Sequence, residues 1–198
     1  MQGAARKMRH EMLTSLEKSI VCFAGEIIAK KVMEGSEELT ERTDRRRIAE
    51  WVKGAMERLD SLTDEEIRIQ IMENCGYSCA KVNRRLMDRA KVRLKKFKTM
   101  DNFLEAEQRK PMAGTRLMRD GDVLYQYYTP LSFTKPMRCY CGLLKGLPDD
   151  EQISKTYCHC SKGFVKEFWE NVLKRPVRVE LLQSAVSGAS ECEFAIHL

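Results

Sequence analysis

An α+β fold follows from two changes of pattern along the chain and from one pattern that never occurs. Up to about residue 110, apolar residues recur at three- and four-residue steps, the period of a helix with one buried face. Beyond Pro111 alternation takes over, in short runs around one further helical stretch. No strand–helix–strand repeat appears, so a parallel sheet is not indicated. The expectation is N-terminal helices packed on an antiparallel sheet with one long C-terminal helix. Residues 1–110 read as a helical region and 111–198 as an α+β domain, the two closing into one compact unit.

The first helix is expected over 5–33. Leu13, Leu16, Ile20, Phe23 and Ile27 share its face, Cys22 borders that stripe as a packed small hydrophobe, and Gly35 stops the pattern. A second helix over 43–59 carries Ile48, Trp51, Val52 and Met56. Thr63-Asp-Glu-Glu66 has the spacing of a capping box and starts a third helix through Ile67 and Ile71. At Gly76 two readings compete. The helix either runs on, with Cys75 and Cys79 on one face at i and i+4, or stops there while Ser78 caps a new helix. The stop and start residues favour the break, and either way the two sulfurs stay near each other. The next stretch buries Val82, Leu86, Ala90, Leu94 and Phe97, and a short helix covers 100–108.

Asp120-Gly121 between two strand-like runs, over 116–128, is a strong hairpin signal. A proline-bounded segment, 130–136, then leads to Cys139-Tyr-Cys141. The polar stretch after Leu147 starts a short helix and delivers the chain to Cys158-His-Cys160. The helix over 161–173 buries Phe164, Val165, Phe168, Trp169 and Val172. Pro176 ends it and opens a strand with Val177, Val179 and Leu181 on one face. The last strand puts Cys192, Phe194, Ile196 and Leu198 on one face, with Cys192 assigned to the core.

Charge and composition narrow the function classes. The net charge is +6, and residues 81–98 hold nine basic residues against a single acid, Asp88. The apolar stripe inside this run, and the lack of aromatic residues beyond Phe97, make it a solvated helix face; nucleic acid is not the expected partner. No window approaches the run of about 20 apolar residues that spans a membrane. The N-terminus lacks the apolar core of a signal peptide, so a cytoplasmic protein is expected. There is no Ser/His/Asp set, no glycine-rich phosphate loop and no HExxH motif.

Eight cysteines in such a chain need a reason. Reduced clustered thiols lean toward metal binding or catalysis rather than structural disulfides. If residues 139–141 are extended, both sulfurs of Cys139 and Cys141 face one way. Cys158 and Cys160 enter a helix, whose N-terminal dipole favours thiolate over thiol. Cys75, Cys79, Cys139, Cys141, Cys158 and Cys160 are therefore the candidate metal ligands. Zinc is preferred and an iron–sulfur cluster is the alternative, since thiolates suit both. His159 could ligate the metal or cap the helix.

The run Gly163-Phe164 through Phe168-Trp169-Glu170, then residues 176–184, Gly188 and Cys192-x-Phe194-x-Ile196, resembles the four-vinyl-reductase (hydrocarbon-binding) domain family over 115–198. The whole chain looks like a cysteine-rich bacterial family carrying such a domain. The resemblance implies a pocket between helix and sheet for an apolar small molecule, often near a cysteine zinc site. Phe164, Phe168 and Trp169 would line it, with Tyr125 and Tyr127 of the hairpin at its mouth. Cys158 and Cys160 match the metal-binding positions best. Two classes of function stay open: a binding or sensor protein with a cysteine-ligated metal, and a metal- or thiolate-dependent hydrolase or redox enzyme. A homodimer is compatible with either.

Overall fold

The computed structural model describes residues 11–40, 42–128 and 138–198. Residues 130–136 and the first turns expected for the N-terminal helix lie outside them. Six helices and one four-stranded antiparallel sheet are present among the described residues. The helices are α1 (Glu11–Val32), α2 (Arg45–Leu62), α3 (Glu65–Val82), α4 (Arg84–Leu94), α5 (Met100–Arg109) and α6 (His159–Leu173). The strands are β1 (Thr115–Asp120), β2 (Val123–Tyr128), β3 (Arg178–Gln183) and β4 (Cys192–His197), in spatial order β1-β2-β4-β3. This is the expected α+β architecture.

Local chemistry explains most boundaries, and also why some expectations shift. Leu13, Leu16 and Ile20 are buried as read, but Phe23 and Ile27 are exposed. Gly25 takes φ 84, a left-handed value that rotates the remainder of α1, so Ala29 and Val32 turn inward instead. Cys22 is exposed, not packed. At the next junction Thr63 closes α2, while the Asp64 side chain accepts from the Ile67 backbone N–H at 2.8 Å and starts α3. The N-cap thus sits one residue later than read, and with Ile67 three residues on it is a plain aspartate cap and not a capping box.

The break expected at Gly76 does not occur. Helix α3 runs through it to Val82 and ends beside Asn83, so Cys75 and Cys79 do share a helical face. The glycine is there for proximity and not for termination. A Cβ on Gly76 would lie 2.1 Å from the Cys160 carbonyl oxygen, and one on Gly163 would lie 2.2 Å from the Glu73 carbonyl oxygen. Each helix places its glycine against the other's backbone, so α3 and α6 approach as closely as main chains allow. Lys162 and Glu73 bridge the same crossing at 2.6 Å. Beyond Asn83 the basic residues Arg84, Arg85 and Arg89 are exposed while Met87 and Ala90 are buried, the solvated face that was expected. Val82, expected inside, is 66% exposed at the end of α3.

The Asp120–Val123 pair closes the hairpin with Gly121, at φ 55, in the two-residue turn. Strand β2 alternates: Leu124, Gln126 and Tyr128 are buried, and Tyr125 and Tyr127 face the other way. Helix α6 covers the buried face, where the Trp169 indole N–H donates to Gln126 Oε1 at 2.8 Å. Val179, Leu181, Cys192, Phe194 and Ile196 join that face from β3 and β4. One contiguous apolar core runs from Leu13 of α1 to Ile196 of β4, across both halves of the chain.

Candidate thiol centre

Seven of the eight cysteines gather where α3, the N-terminus of α6, the start of β4 and residues 139–141 meet; all eight are free thiols. Cys75 and Cys79 come from one face of α3. Cys158 and Cys160 come from the turn into α6, which the glycine contacts press against α3. Residues 139–141 form no strand, so strand alternation does not set the direction of their sulfurs. They are held instead by Arg138. Its guanidinium donates to the carbonyls of Pro148 (3.0 Å), Asp149 (3.2 Å), Glu151, Ala185 (3.3 Å) and Val186 (3.2 Å). A rigid fork saturated by backbone oxygens fixes the chain one residue before Cys139.

The cysteines divide into three environments. Cys160 interacts with Cys79, Cys139 and Cys141, and Cys141 with Cys79 and Cys139; the sulfurs of Cys79, Cys139 and Cys141 already accept a hydrogen bond. Tyr157 donates its hydroxyl to Cys141 Sγ at 3.0 Å, the Cys141 N–H points to Cys139 Sγ at 3.4 Å, and Asn83 Nδ2 approaches Cys79 Sγ at 3.6 Å. Cys75 donates to Ser19 Oγ at 3.5 Å on the α1 side and also interacts with Cys160 and Cys79. Cys158 Sγ lies 2.9 Å from the Ser184 hydroxyl oxygen, and Cys192 Sγ accepts from the Ala185 backbone N–H at 3.4 Å. As they stand, no three histidine, cysteine, aspartate or glutamate side chains among the described residues are grouped closely enough to hold a metal ion.

Burial, not the helix dipole, sets the protonation of most of these thiols. A dipole contributes about 0.3–1 kcal/mol near a helix end, whereas full burial moves a group by up to about 3–5 pKa units. Burial pushes Cys160 well above the usual thiol range, with the neighbouring sulfurs adding to it. It takes Cys75 to about 11 and Cys139 to about 12. Cys158 also rises, because its S–H is engaged by Cys192 and because it is buried. The activated thiolates expected at positions 158 and 160 are therefore not found. Cys192 moves the other way, lowered to about 7 by its interaction with Cys158 and by the Ala185 N–H it accepts. It had been assigned to the core from its strand face. That assignment is correct about burial, yet nothing local in the sequence tells that Cys158 lies opposite.

His159, between the second cysteine pair, is lowered to about 4 by burial and by Lys162, and its buried Nδ1 has no partner. This yields a two-sided pH dependence for the metal-free protein. The unfolded chain protonates His159 near its ordinary 6.5 while the folded chain resists to about 4, so stability falls as pH drops through that window. Unfolded thiols ionise near 9.0 while Cys75 and Cys139 keep their protons to about 11 and 12, so stability also falls as pH rises beyond 9. Urea midpoints measured below, inside and above the range 6.5–9 should peak inside it, with His159→Gln removing much of the acid-side loss. A midpoint indifferent to pH on both sides would contradict this account.

The predicted ligand-lining residues are dispersed. Trp169 is buried against Gln126, with the Phe168 ring edge-on at 5.3 Å, and Phe164 is half-buried on α6. Tyr125 and Tyr127 lie on the opposite face of the sheet, Tyr127 beneath the Arg116 guanidinium at 3.6 Å. Period-two alternation keeps them from sharing a helix–sheet pocket with Trp169. A cavity of about 20 Å³ adjoins the cluster, lined by Met12, Leu16, Val52, Met72, Leu143 and Tyr157 together with Cys75 and Cys160. It has room for one water-sized group.

Residues 3–198 match a family of unknown function, DUF6144. The chain belongs to this family. No curated protein matches the chain. Similar solved structures include an H-NOX protein from S. oneidensis in the Fe(II)NO ligation state, with TM-score 0.43, 11% identity, and coverage of 96% of this chain and 98% of that one. A mutant of an S. oneidensis H-NOX protein in the Fe(II) state gives TM-score 0.46 and 12% identity over 96% of each chain. A third, titled "Modulating Heme Redox Potential Through Protein-Induced Porphyrin Distortion", gives 0.42 and 12%, over 96% of this chain and 100% of that one. At these scores the likeness of the DUF6144 chain to them is loose. No helix among its described residues is long and apolar enough to cross a membrane.

Proposed function

We propose that this protein binds a soft metal ion, zinc in the first instance, through Cys79, Cys139, Cys141 and Cys160, as the stiffened centre of a small-molecule-binding or sensor protein. The observation that carries the reading is the hydrogen-bond donors already directed at three of the four sulfurs: Tyr157 at Cys141, the Cys141 N–H at Cys139 and Asn83 at Cys79. Donors of this kind stabilise thiolate charge and orient ligands around a metal. Binding requires the sulfurs to draw together and to lose protons that burial now holds on them. A divalent cation supplies the charge that makes this favourable, and affinity should fall with acid.

Four thiolates would leave no open coordination position, which favours a structural or sensing role over hydrolysis. The resemblance to four-vinyl-reductase domains belongs to the same reading: an apolar molecule would be the sensed ligand. The small cavity beside Cys75 and Cys160 must open to admit one, since it now takes nothing larger than water. Element analysis of protein purified without oxygen should find one zinc per chain, lost on Cys139→Ser with Cys141→Ser. An iron–sulfur absorption spectrum instead of zinc would keep the site and change the cofactor. Metal-free protein whose stability ignores both added zinc and chelator would end the proposal.

A further inference from the structure

The surface around α4 carries more positive charge than its own packing uses. Residues 81–98 hold nine bases, and three of them have acidic partners. Arg84 and Lys91 flank Asp88 at 3.6 and 3.7 Å, and Arg93 reaches Glu107 at 2.8 Å. Lys81, Arg85, Arg89, Lys95, Lys96 and Lys98 are exposed and form no ion pair among the described residues. Helix α4 turns Met87 and Ala90 to the core. Arg85, Arg89 and Val92, at steps of four and three residues, lie on its opposite, exposed side. Val92 is 59% exposed within this cationic face, and Val82, just before α4, is exposed as well. Helix stability does not ask for valine there, since it is a poorer helix former than the lysine and arginine around it. No aromatic ring is exposed on this stretch: Phe97 is half-buried and packs on Phe103, ring centres 5.9 Å apart.

We propose that this face docks the protein on an anionic lipid bilayer, its bases against the headgroups and Val92 at the boundary with the acyl chains. Cations are drawn to the negative surface potential of such a bilayer, and apolar side chains beside them enter the boundary region. Six uncompensated bases supply the first attraction, and the exposed valines supply the second. A free polyanion would use the charges and leave the valines in water. Single-stranded nucleic acid is held by stacking its bases on aromatic rings, and this face offers none. The contact is peripheral and reversible, because it rests on surface charge that salt screens.

The test is sedimentation of the full-length protein with vesicles of phosphatidylcholine alone and of phosphatidylcholine mixed with phosphatidylserine. Binding is expected to the mixed vesicles and not to the neutral ones. It should fade between about 0.1 M and about 1 M salt, as the screening length falls from about 10 Å to about 3 Å. Arg85→Gln with Arg89→Gln should weaken it about twentyfold, since each base near an anionic leaflet contributes about fivefold. Val92→Ser, with every charge intact, should weaken it about threefold or more. Both variants change exposed side chains, and an unaltered urea midpoint checks that they fold. No binding to the mixed vesicles, equal binding to the neutral ones, or undiminished binding by either folded variant would overturn the proposal. So would tighter binding to duplex or single-stranded DNA than to the mixed vesicles. No thiol takes part, so the zinc measurement and this one can fail separately.

Discussion

Gly163→Ala should destabilise the protein by about 3 kcal/mol or more, against a total that for domains of this kind is about 5–15 kcal/mol. The added carbon would lie 2.2 Å from the Glu73 carbonyl oxygen and 2.8 Å from the Glu73 Cα. These are main-chain atoms of α3, which cannot swing aside as a side chain would. Only separation of the two helices relieves the clash, and that loosens the Lys162–Glu73 bridge and withdraws Cys160 from Cys79. Alanine is also the better helix former, by about 1 kcal/mol, so two effects oppose. Overlap with backbone is the larger, and it wins. Gly54→Ala in α2 is the matching control, because its new carbon meets only the flexible tip of Arg58 at 3.2 Å. The urea midpoint should fall steeply for Gly163→Ala and rise slightly for Gly54→Ala. Equal small shifts in both would mean that α3 and α6 are not in main-chain contact.

Trp169→Ala is the second large effect, at about 3–5 kcal/mol for the emptied volume. The indole is 2% exposed and sits between α6 and the sheet. Its loss also strands Gln126, a buried side chain whose Oε1 accepts the indole N–H at 2.8 Å. An unsatisfied buried amide costs about a further 1–3 kcal/mol. Trp169→Phe separates the two contributions, since it keeps most of the apolar volume and removes only the donor. Adding Gln126→Leu to Trp169→Phe should recover part of the loss, because an apolar pair has no unmet hydrogen bond. If Trp169→Phe costs as much as Trp169→Ala, then the hydrogen bond and not the ring volume holds this interface.

How far the thiol centre could be read from the chain depends on which residues are compared. The Cys-x-Cys pairs and the i, i+4 pair on α3 announce a cluster by spacing alone, because each pair is held within one local element. The partition of that cluster is not local. Cys158 meets Ser184 and Cys192 across about thirty residues of chain, a proximity that its local sequence does not announce. Arg138 and Tyr157, which position Cys139 and Cys141, show no motif that marks them. Their roles exist only once the carbonyls of residues 148–151 and 185–186 are brought to one place.

Periodicity determined the helices, the hairpin at Asp120-Gly121 and the inward faces of β3 and β4, since each depends on neighbours a few residues away. Where α1 turned at Gly25, the stripe through Phe23 and Ile27 misled, because a single left-handed residue rotates all that follows. Gly76 misled for the opposite reason. Its sequence context is that of a helix stop, yet its conformation is helical, and what requires a glycine there is the backbone of α6. Likewise the helix entry at Cys158 and Cys160 promised ionised thiols, whereas only the packed interior revealed how much water those sulfurs lose. Local rules describe what a segment does with itself; desolvation, close approach and the pairing of distant sulfurs depend on what the fold lays against it.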